Sequence, residues 1–134
     1  MVVVDASVLV EALLRRPAAE HVRARLTAWE PHAPHLLDIE VISALRRLLA
    51  HREVTSERAG AALADFLSLS VERYPHAILA PRVWELRENF TPYDAVYLAL
   101  AEQLGDEGVP LLTVDARFAR AARKHTGVEV LLAA

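Results

Sequence analysis

The chain has no cysteine among its 134 residues. Disulfide bonds, thiol catalysis and zinc–thiolate centres are therefore excluded, and the absence fits a cytoplasmic protein. Only four glycines occur, and none of them directly precedes a lysine, so a phosphate-binding P-loop is excluded too. No apolar run approaches the ~20 residues that a membrane-spanning helix needs.

Lysine is nearly absent, since Lys124 is the only lysine among 15 basic residues. The formal net charge is −3, which argues mildly against a protein that binds nucleic acid. Arginine forms bidentate contacts with phosphate, however, so the arginine-rich set of basic residues leaves such binding open. The alternative explanation is a GC-rich genome, which encodes arginine and alanine in place of lysine.

Apolar residues make up 54% of the chain, which argues against disorder, and the length suits one domain, 1–134. Strand-like runs alternate with segments of helical spacing. This pattern predicts an α/β three-layer sandwich, with a mainly parallel central sheet and helices on both faces. The predicted strands are Val2–Val4, a short one near Ala33, Ser70–Tyr74, Val109–Val114 and Val128–Leu132. The predicted helices are Ala6–Arg15, Ala18–Trp29, Leu37–His51, Glu57–Leu67, Ile78–Glu88, Pro92–Glu102 and Ala116–Lys124.

Two aspartates directly follow apolar strands. Asp5 comes after Val2–Val4, and Asp115 comes after the run Leu111–Val114. In a parallel α/β sheet the ligand site lies outside the carboxyl ends of the strands, so both side chains are expected near such a site. Each aspartate could instead serve only as the N-cap of the helix that follows it.

Two further acids lie near the starts of predicted helices. Glu40 interrupts the apolar stretch Leu36–Ile42, where a glutamate is rarely buried unless it is paired or binds a metal. Asp94 lies three residues after Thr91 and could therefore belong to a helix cap. Asp38 is two residues from Glu40 and points to a different face of the helix, so we interpret it as a first-turn acid and not as a ligand.

A cluster of these four acids would repel itself. Two unit charges ~4 Å apart repel by about 4 kcal/mol at an effective dielectric constant of ~20, so the cluster needs a cation or raised pKa values. Because every candidate ligand is an oxygen, Mg²⁺ or Mn²⁺ is the expected ion. A divalent cation held in this way suits the hydrolysis of a phosphodiester.

Four segments of the chain resemble the PIN-domain ribonucleases, and more closely the VapC toxins of bacterial toxin–antitoxin pairs. They are VVVDASVLV (2–10), EVISALR (40–46), TPYDAVYLALA (91–101) and LLTVDARF (111–118), in matching order and spacing. The resemblance covers the whole chain. It implies that the metal-binding and catalytic acids are Asp5, Glu40, Asp94 and Asp115, and that Ser7 and Thr113 are hydroxyl groups that support them.

The resemblance also implies a function. Members of this family are metal-dependent endoribonucleases, which cleave structured RNA such as tRNA or rRNA with a water activated by the metal. Asp5 and Asp94 would be the principal ligands of Mg²⁺ or Mn²⁺, and Glu40 and Asp115 would complete the coordination directly or through water. A cognate VapB-like antitoxin is the expected protein partner, and a homodimer is the expected assembly because the family commonly dimerises.

Two other classes of protein stay open. A PIN-like scaffold that binds RNA or protein without cleavage would share the fold, although the loss of an acid would be expected there and none is lost. A phosphoryl-transfer or receiver domain also places aspartates at strand ends, but it needs a lysine at a strand end, whereas Lys124 falls late in a predicted helix. The large aromatic residues, among them Phe66 and Trp84, are expected in the core or at a subunit interface, with base stacking as the alternative for them.

Overall fold

The computed structural model describes residues 1–14, 26 and 28–133. In these residues five strands alternate with six helices. The strands are β1 (Val2–Val4), β2 (Pro31–Pro34), β3 (Glu72–Tyr74), β4 (Leu111–Thr113) and β5 (Val130–Leu132). The helices are α1 (Ala6–Leu13), α2 (Leu36–Ala50), α3 (Ser56–Ser68), α4 (Ala80–Glu85), α5 (Pro92–Gln103) and α6 (Ala116–His125). The predicted helix Ala18–Trp29 falls almost entirely outside the described residues.

The strands form one sheet in the order β3-β2-β1-β4-β5. Every described pair of neighbouring strands is parallel, which confirms the predicted parallel sheet. From the central strand β1 the chain adds β2 and β3 on one side and then crosses to add β4 and β5 on the other. The strand order therefore reverses between β1 and β4, and parallel α/β sheets bind their ligands at such a point.

The central strand divides the core in two, because successive side chains of a strand point to opposite faces of the sheet. Val2 and Val4 pack in one cluster with Leu112 and apolar residues of α1, α2 and α3. Val3 packs in the other cluster with Leu111 and apolar residues around α4, α5 and α6. These five side chains are fully buried, and the predicted sandwich with helices on both faces is confirmed.

One predicted helix is much shorter than the sequence pattern indicates. The pattern predicts Ile78–Glu88, but α4 covers only Ala80–Glu85. Pro81 explains the late start, because a proline lacks the N–H group and is tolerated only in the first turn of a helix. At the other end the chain turns towards the Thr91 cap of α5. No helix within 1–14 or 28–133 is long and apolar enough to cross a membrane.

Candidate active site

The four acids singled out in the sequence line a single open cleft of about 440 Å³. Asp5 lies between β1 and α1, and Asp115 lies between β4 and α6. Glu40 projects from the second turn of α2, and Asp94 from the first turn of α5. The cleft thus lies at the carboxyl ends of β1 and β4, where the strand order reverses, and four separate segments contribute its acids.

Asp5 is the most buried of the four acids, with only 9% of its surface exposed. Its Oδ1 accepts hydrogen bonds from Ser7 Oγ at 2.5 Å and from the Val8 N–H at 3.3 Å. Its Oδ2 accepts one from Thr113 Oγ1 at 2.6 Å. Burial raises the pKa of Asp5 to about 6, although these three hydrogen bonds act in the opposite direction. Asp5 therefore caps α1 and also faces the cleft, and Ser7 and Thr113 hold its carboxylate in place.

Asp115 likewise caps a helix and faces the cleft. Its Oδ1 accepts hydrogen bonds from the N–H groups of Arg117 at 2.9 Å and Phe118 at 3.1 Å, so it caps α6. Its own N–H donates to Thr113 Oγ1 at 3.0 Å. Thr113 is fully buried and links Asp115 to Asp5. Since the cap uses one carboxylate oxygen, the other oxygen of Asp115 is left for a ligand.

Glu40 is tied to a residue that the sequence reasoning missed. The hydroxyl group of Tyr97, on α5, donates a hydrogen bond of 2.5 Å to Glu40 Oε1, on α2. Burial raises the pKa of Glu40, and the charges of Asp5 and Asp94 raise it further. Tyr97 follows Asp94 by three residues, and this spacing on a helix was the signal that could have placed it in the site.

Asp94 has no structural role that competes with ligand binding. The cap of α5 is Thr91, whose Oγ1 accepts a hydrogen bond from the Asp94 N–H at 3.2 Å. The Asp94 carboxylate itself accepts no hydrogen bond from the part of the chain that the structure describes. Burial raises its pKa, and the charge of Asp115 adds to the effect. Asp94 therefore lines the cleft with a carboxylate that no described hydrogen bond occupies.

Two residues named in the sequence analysis lie outside the cleft. Asp38 forms an ion pair with Arg73, with a distance of 2.8 Å between Oδ1 and Nε, and does not line the cleft. Lys124 lies in the last turn of α6, and none of the described residues that line the cleft is a lysine. The receiver-type alternative therefore lacks the lysine that it requires near its aspartates.

The donor set of the cleft suits a hard divalent cation. All four acids offer oxygen, which is the ligand that Mg²⁺ and Mn²⁺ prefer. In the described arrangement no three carboxylate or imidazole groups converge on one point at which they could hold an ion directly. Mg²⁺ usually binds through one or two carboxylates and keeps several waters, so a site for this ion does not require three converging groups.

Comparison of the sequence with known proteins gives one consistent result. The PIN domain family matches residues 2–124. Ribonuclease VapC12 of Mycobacterium tuberculosis is 37% identical over 131 residues, which cover 98% of this chain and 99% of VapC12. Ribonuclease VapC1 of the same organism is 47% identical over 121 residues, which cover 89% of each chain.

Solved structures agree on the fold. PAE2754 from Pyrobaculum aerophilum superimposes with a TM-score of 0.67 at 24% identity and covers 96% of this chain, which in turn covers 81% of PAE2754. M. tuberculosis VapC20, a toxin that cleaves the sarcin–ricin loop, superimposes with a TM-score of 0.64 at 20% identity, over 90% of this chain and 95% of VapC20. On the family match and the two VapC relatives, the chain belongs to the PIN domain family and, within it, to the VapC ribonucleases.

Proposed function

We propose that this protein is a metal-dependent endoribonuclease, which acts as the toxin of a toxin–antitoxin pair. The proposal rests on one observation: Asp5, Glu40, Asp94 and Asp115 line the same cleft. Asp5 and Asp115 are fixed there because each accepts at least one hydrogen bond from a backbone N–H group at the start of a helix. Its relatives VapC1 and VapC12 are ribonucleases. An RNA substrate also implies that the protein acts in the cytoplasm.

The chemistry needs an ion and a set of side chains that hold it. Mg²⁺ or Mn²⁺, when bound, supplies a water of lowered pKa and offsets the charge of the scissile phosphate. We infer that Asp5 and Asp94 are its principal ligands, because Asp5 is held rigidly and Asp94 has both oxygens available. Asp115 adds its uncapped oxygen, directly or through water.

The proposed base is Glu40. Tyr97 occupies Oε1 of Glu40, which leaves Oε2 to take the proton of the attacking water. The raised pKa of Glu40 favours this transfer, because a carboxylate of raised pKa binds the proton more tightly. Ser7 and Thr113 act through Asp5, since both donate their hydroxyl protons to its carboxylate.

A cleavage assay tests the proposed activity. The purified chain is incubated with total bacterial RNA and with a sarcin–ricin loop hairpin, because VapC20 cleaves that loop. We expect discrete fragments in Mg²⁺ or Mn²⁺ and none in EDTA. RNA binding without cleavage under any of these ions would instead identify a non-catalytic scaffold.

We further propose a VapB-like antitoxin as the protein partner. Among the described residues, five acids line the cleft: Asp5, Glu11, Glu40, Asp94 and Asp115. A cleft of this charge attracts a cationic side chain, and the bidentate guanidinium group of an arginine matches its carboxylates best. An antitoxin arginine in this position would compete with the metal and so block cleavage.

The expected homodimer has a candidate interface on the same protein. Trp84 and Phe66 were both expected in the core or at a subunit interface; Trp84 is 66% exposed and does not fill the core, whereas Phe66 is fully buried. Ile39 and Tyr93 are 63% and 61% exposed. Trp84 and Tyr93 border one apolar groove with Leu36, which precedes Ile39 by one turn of α2. We propose that this α2–α4–α5 surface, formed by Leu36, Ile39, Trp84 and Tyr93, pairs two copies of the chain.

Substitution of the exposed tryptophan tests the dimer. Trp84→Glu should convert a dimer into a monomer, because a charged side chain would replace the apolar ring at the centre of the interface. Sedimentation velocity at micromolar concentration measures the change. The matched control is Leu67→Glu on α3, which is also 63% exposed and lies outside this surface, and it should stay dimeric. A wild-type monomer under the same conditions would contradict the proposed assembly.

A further inference from the structure

The described lining of the acidic cleft includes one cation that the proposed chemistry does not use. Among the described residues that line the cleft, Arg47 alone is positively charged. It lies on the same stripe of α2 as Glu40, with Ser43 and Ala44 between them in the lining. The stripe leads away from the four acids along the line where α2 packs on α1.

The spacing on α2 separates Arg47 from the acids. Seven residues at a rise of 1.5 Å place it ~10.5 Å along the helix axis from Glu40. Consistent with this separation, the charges that shift the pKa of Glu40 are those of other carboxylates, Asp5 and Asp94. Arg47 therefore does not neutralise the metal-binding acids and does not replace the cation there.

Arg47 also has no side-chain partner within the described part of the chain. Its side chain is exposed and forms no hydrogen bond or ion pair with any residue in the described ranges 1–14, 26 and 28–133. A favourable interaction with the carboxyl end of α2 would explain an arginine in the last turn. It would not explain why the arginine faces the cleft, since the adjacent Arg46 is also exposed and lies outside the lining.

We propose that Arg47 binds a backbone phosphate of the RNA strand next to the scissile one. The inference rests on the proposed ribonuclease function and adds a second anchoring point to its cleft. A guanidinium group forms paired, charge-assisted hydrogen bonds with phosphate oxygens. Contacts of this kind fix the register of a strand and carry no base specificity. In this arrangement the scissile phosphate lies at the acids and their ion. Arg47 offsets the charge of the adjacent phosphate, which the acidic cleft would otherwise repel.

Two neighbouring arginines provide a matched comparison. Arg47→Gln and Arg46→Gln remove the same charge from the same turn of α2, so they change the interaction with the helix dipole equally. Both are made in an Asp5→Asn background, so that RNA is not consumed, and are measured in Mn²⁺ at several salt concentrations. The probes are a fluorescein-labelled unstructured oligoribonucleotide and a sarcin–ricin loop hairpin, and the readout is fluorescence anisotropy.

We expect Arg47→Gln to weaken binding about tenfold, as for one lost charge-assisted contact. The slope of log affinity against log salt should fall in magnitude by about 0.7 for the single-stranded probe. Arg47→Lys should recover part of both losses, and Arg46→Gln should leave both within experimental error. With Asp5 intact, Arg47→Gln should raise KM for cleavage and leave kcat nearly unchanged.

Equal effects of Arg46→Gln and Arg47→Gln on affinity and salt slope would overturn the assignment, as would an Asp5→Asn parent protein that binds neither probe. Binding that depends on Arg47, in a protein that never cleaves RNA, would uphold the phosphate contact and reject the proposed ribonuclease. The two failures can therefore be told apart.

Discussion

Asp5→Asn should lower the rate of RNA cleavage by ~10²- to 10³-fold, the range typical for the loss of one electrostatic group in an active site. Asparagine keeps an oxygen that can accept from Ser7 or the Val8 N–H, so the start of α1 should stay intact. It removes the negative charge that would hold the cation. Initial rates on a labelled substrate RNA in Mn²⁺, together with a thermal melt of each protein, measure the two effects separately.

The control for this experiment is Asp38→Asn. Asp38 lies on the same helix as Glu40 but pairs with Arg73 and does not line the cleft. Its replacement should cost little stability, since both partners are partly exposed, and cleavage should remain near the wild-type rate. Wild-type cleavage by Asp5→Asn would reduce Asp5 to a helix cap and remove it from the chemistry.

Mn²⁺ should stabilise the wild-type protein strongly if the four acids share a site. A ligand that binds only the folded state adds about 2.7 kcal/mol to the free energy of unfolding at 100 times its dissociation constant. Four independent caps would give no such gain. Thermal melts in EDTA and in saturating Mn²⁺ at fixed ionic strength provide the measurement, and a flat response of the wild type would falsify the shared site.

Variants that neutralise one of the four acids also test the shared site, both without metal and with it. Glu40→Gln keeps an acceptor for the Tyr97 hydroxyl group, and Asp115→Asn keeps an oxygen for the cap of α6. In EDTA both proteins should be at least as stable as the wild type, because each loses a charge that the other acids repel. In Mn²⁺ both should lose most of the metal-induced gain. A purely capping Asp115 predicts the opposite in EDTA, a loss of a few tenths of a kcal/mol through the helix dipole.

The pH dependence of the metal-free protein has a definite sign. Burial raises the pKa of Asp5 from 3.8 to about 6, so the folded state binds this proton more tightly than the unfolded state. Protonation of Asp5 therefore stabilises the folded state. This gain is complete below the pKa that Asp5 has in the unfolded chain, and it is lost as the pH rises through about 6. Lowering the pH from 7 to 5 in EDTA should therefore raise the free energy of unfolding of the wild type by roughly 1 kcal/mol. The Asp5→Asn variant should not show this gain.

Residues whose role follows from position in the chain could be predicted from sequence. Asp5 and Asp115 stand directly after buried strands, so the parallel sheet alone brings them to one edge. Glu40 stood out because a charge interrupted an apolar stripe. The resemblance to VapC toxins pointed to the same acids and added the hydroxyl groups of Ser7 and Thr113, which do contact Asp5.

Residues whose role depends on the packing of two separate helices could not be predicted in this way. Its spacing from Asp94 could place Tyr97 near the cleft, but its hydrogen bond to Glu40 could not be predicted, because Glu40 lies 57 residues away in the chain and on a different helix. In the sequence, Arg47 is a cation in the last turn of a helix. Only the packing of α1 beside α2 shows that it lines the cleft. Trp84 was expected in the core or at a subunit interface, and the sequence could not decide between them, whereas the structure leaves it exposed on the short helix α4.

The two helix caps in the cleft change what related sequences can reveal. Asp5 and Asp115 each support the start of a helix, so a descendant that had lost its enzymatic activity would still be selected to keep them for folding. Glu40 and Asp94 cap no helix, and their raised pKa values mean that the cleft disfavours the charged form of both side chains. A relative that had become inactive would therefore be expected to lose Glu40 or Asp94 first. These two positions therefore distinguish active members of such a lineage from inactive ones better than the strand-end aspartates do.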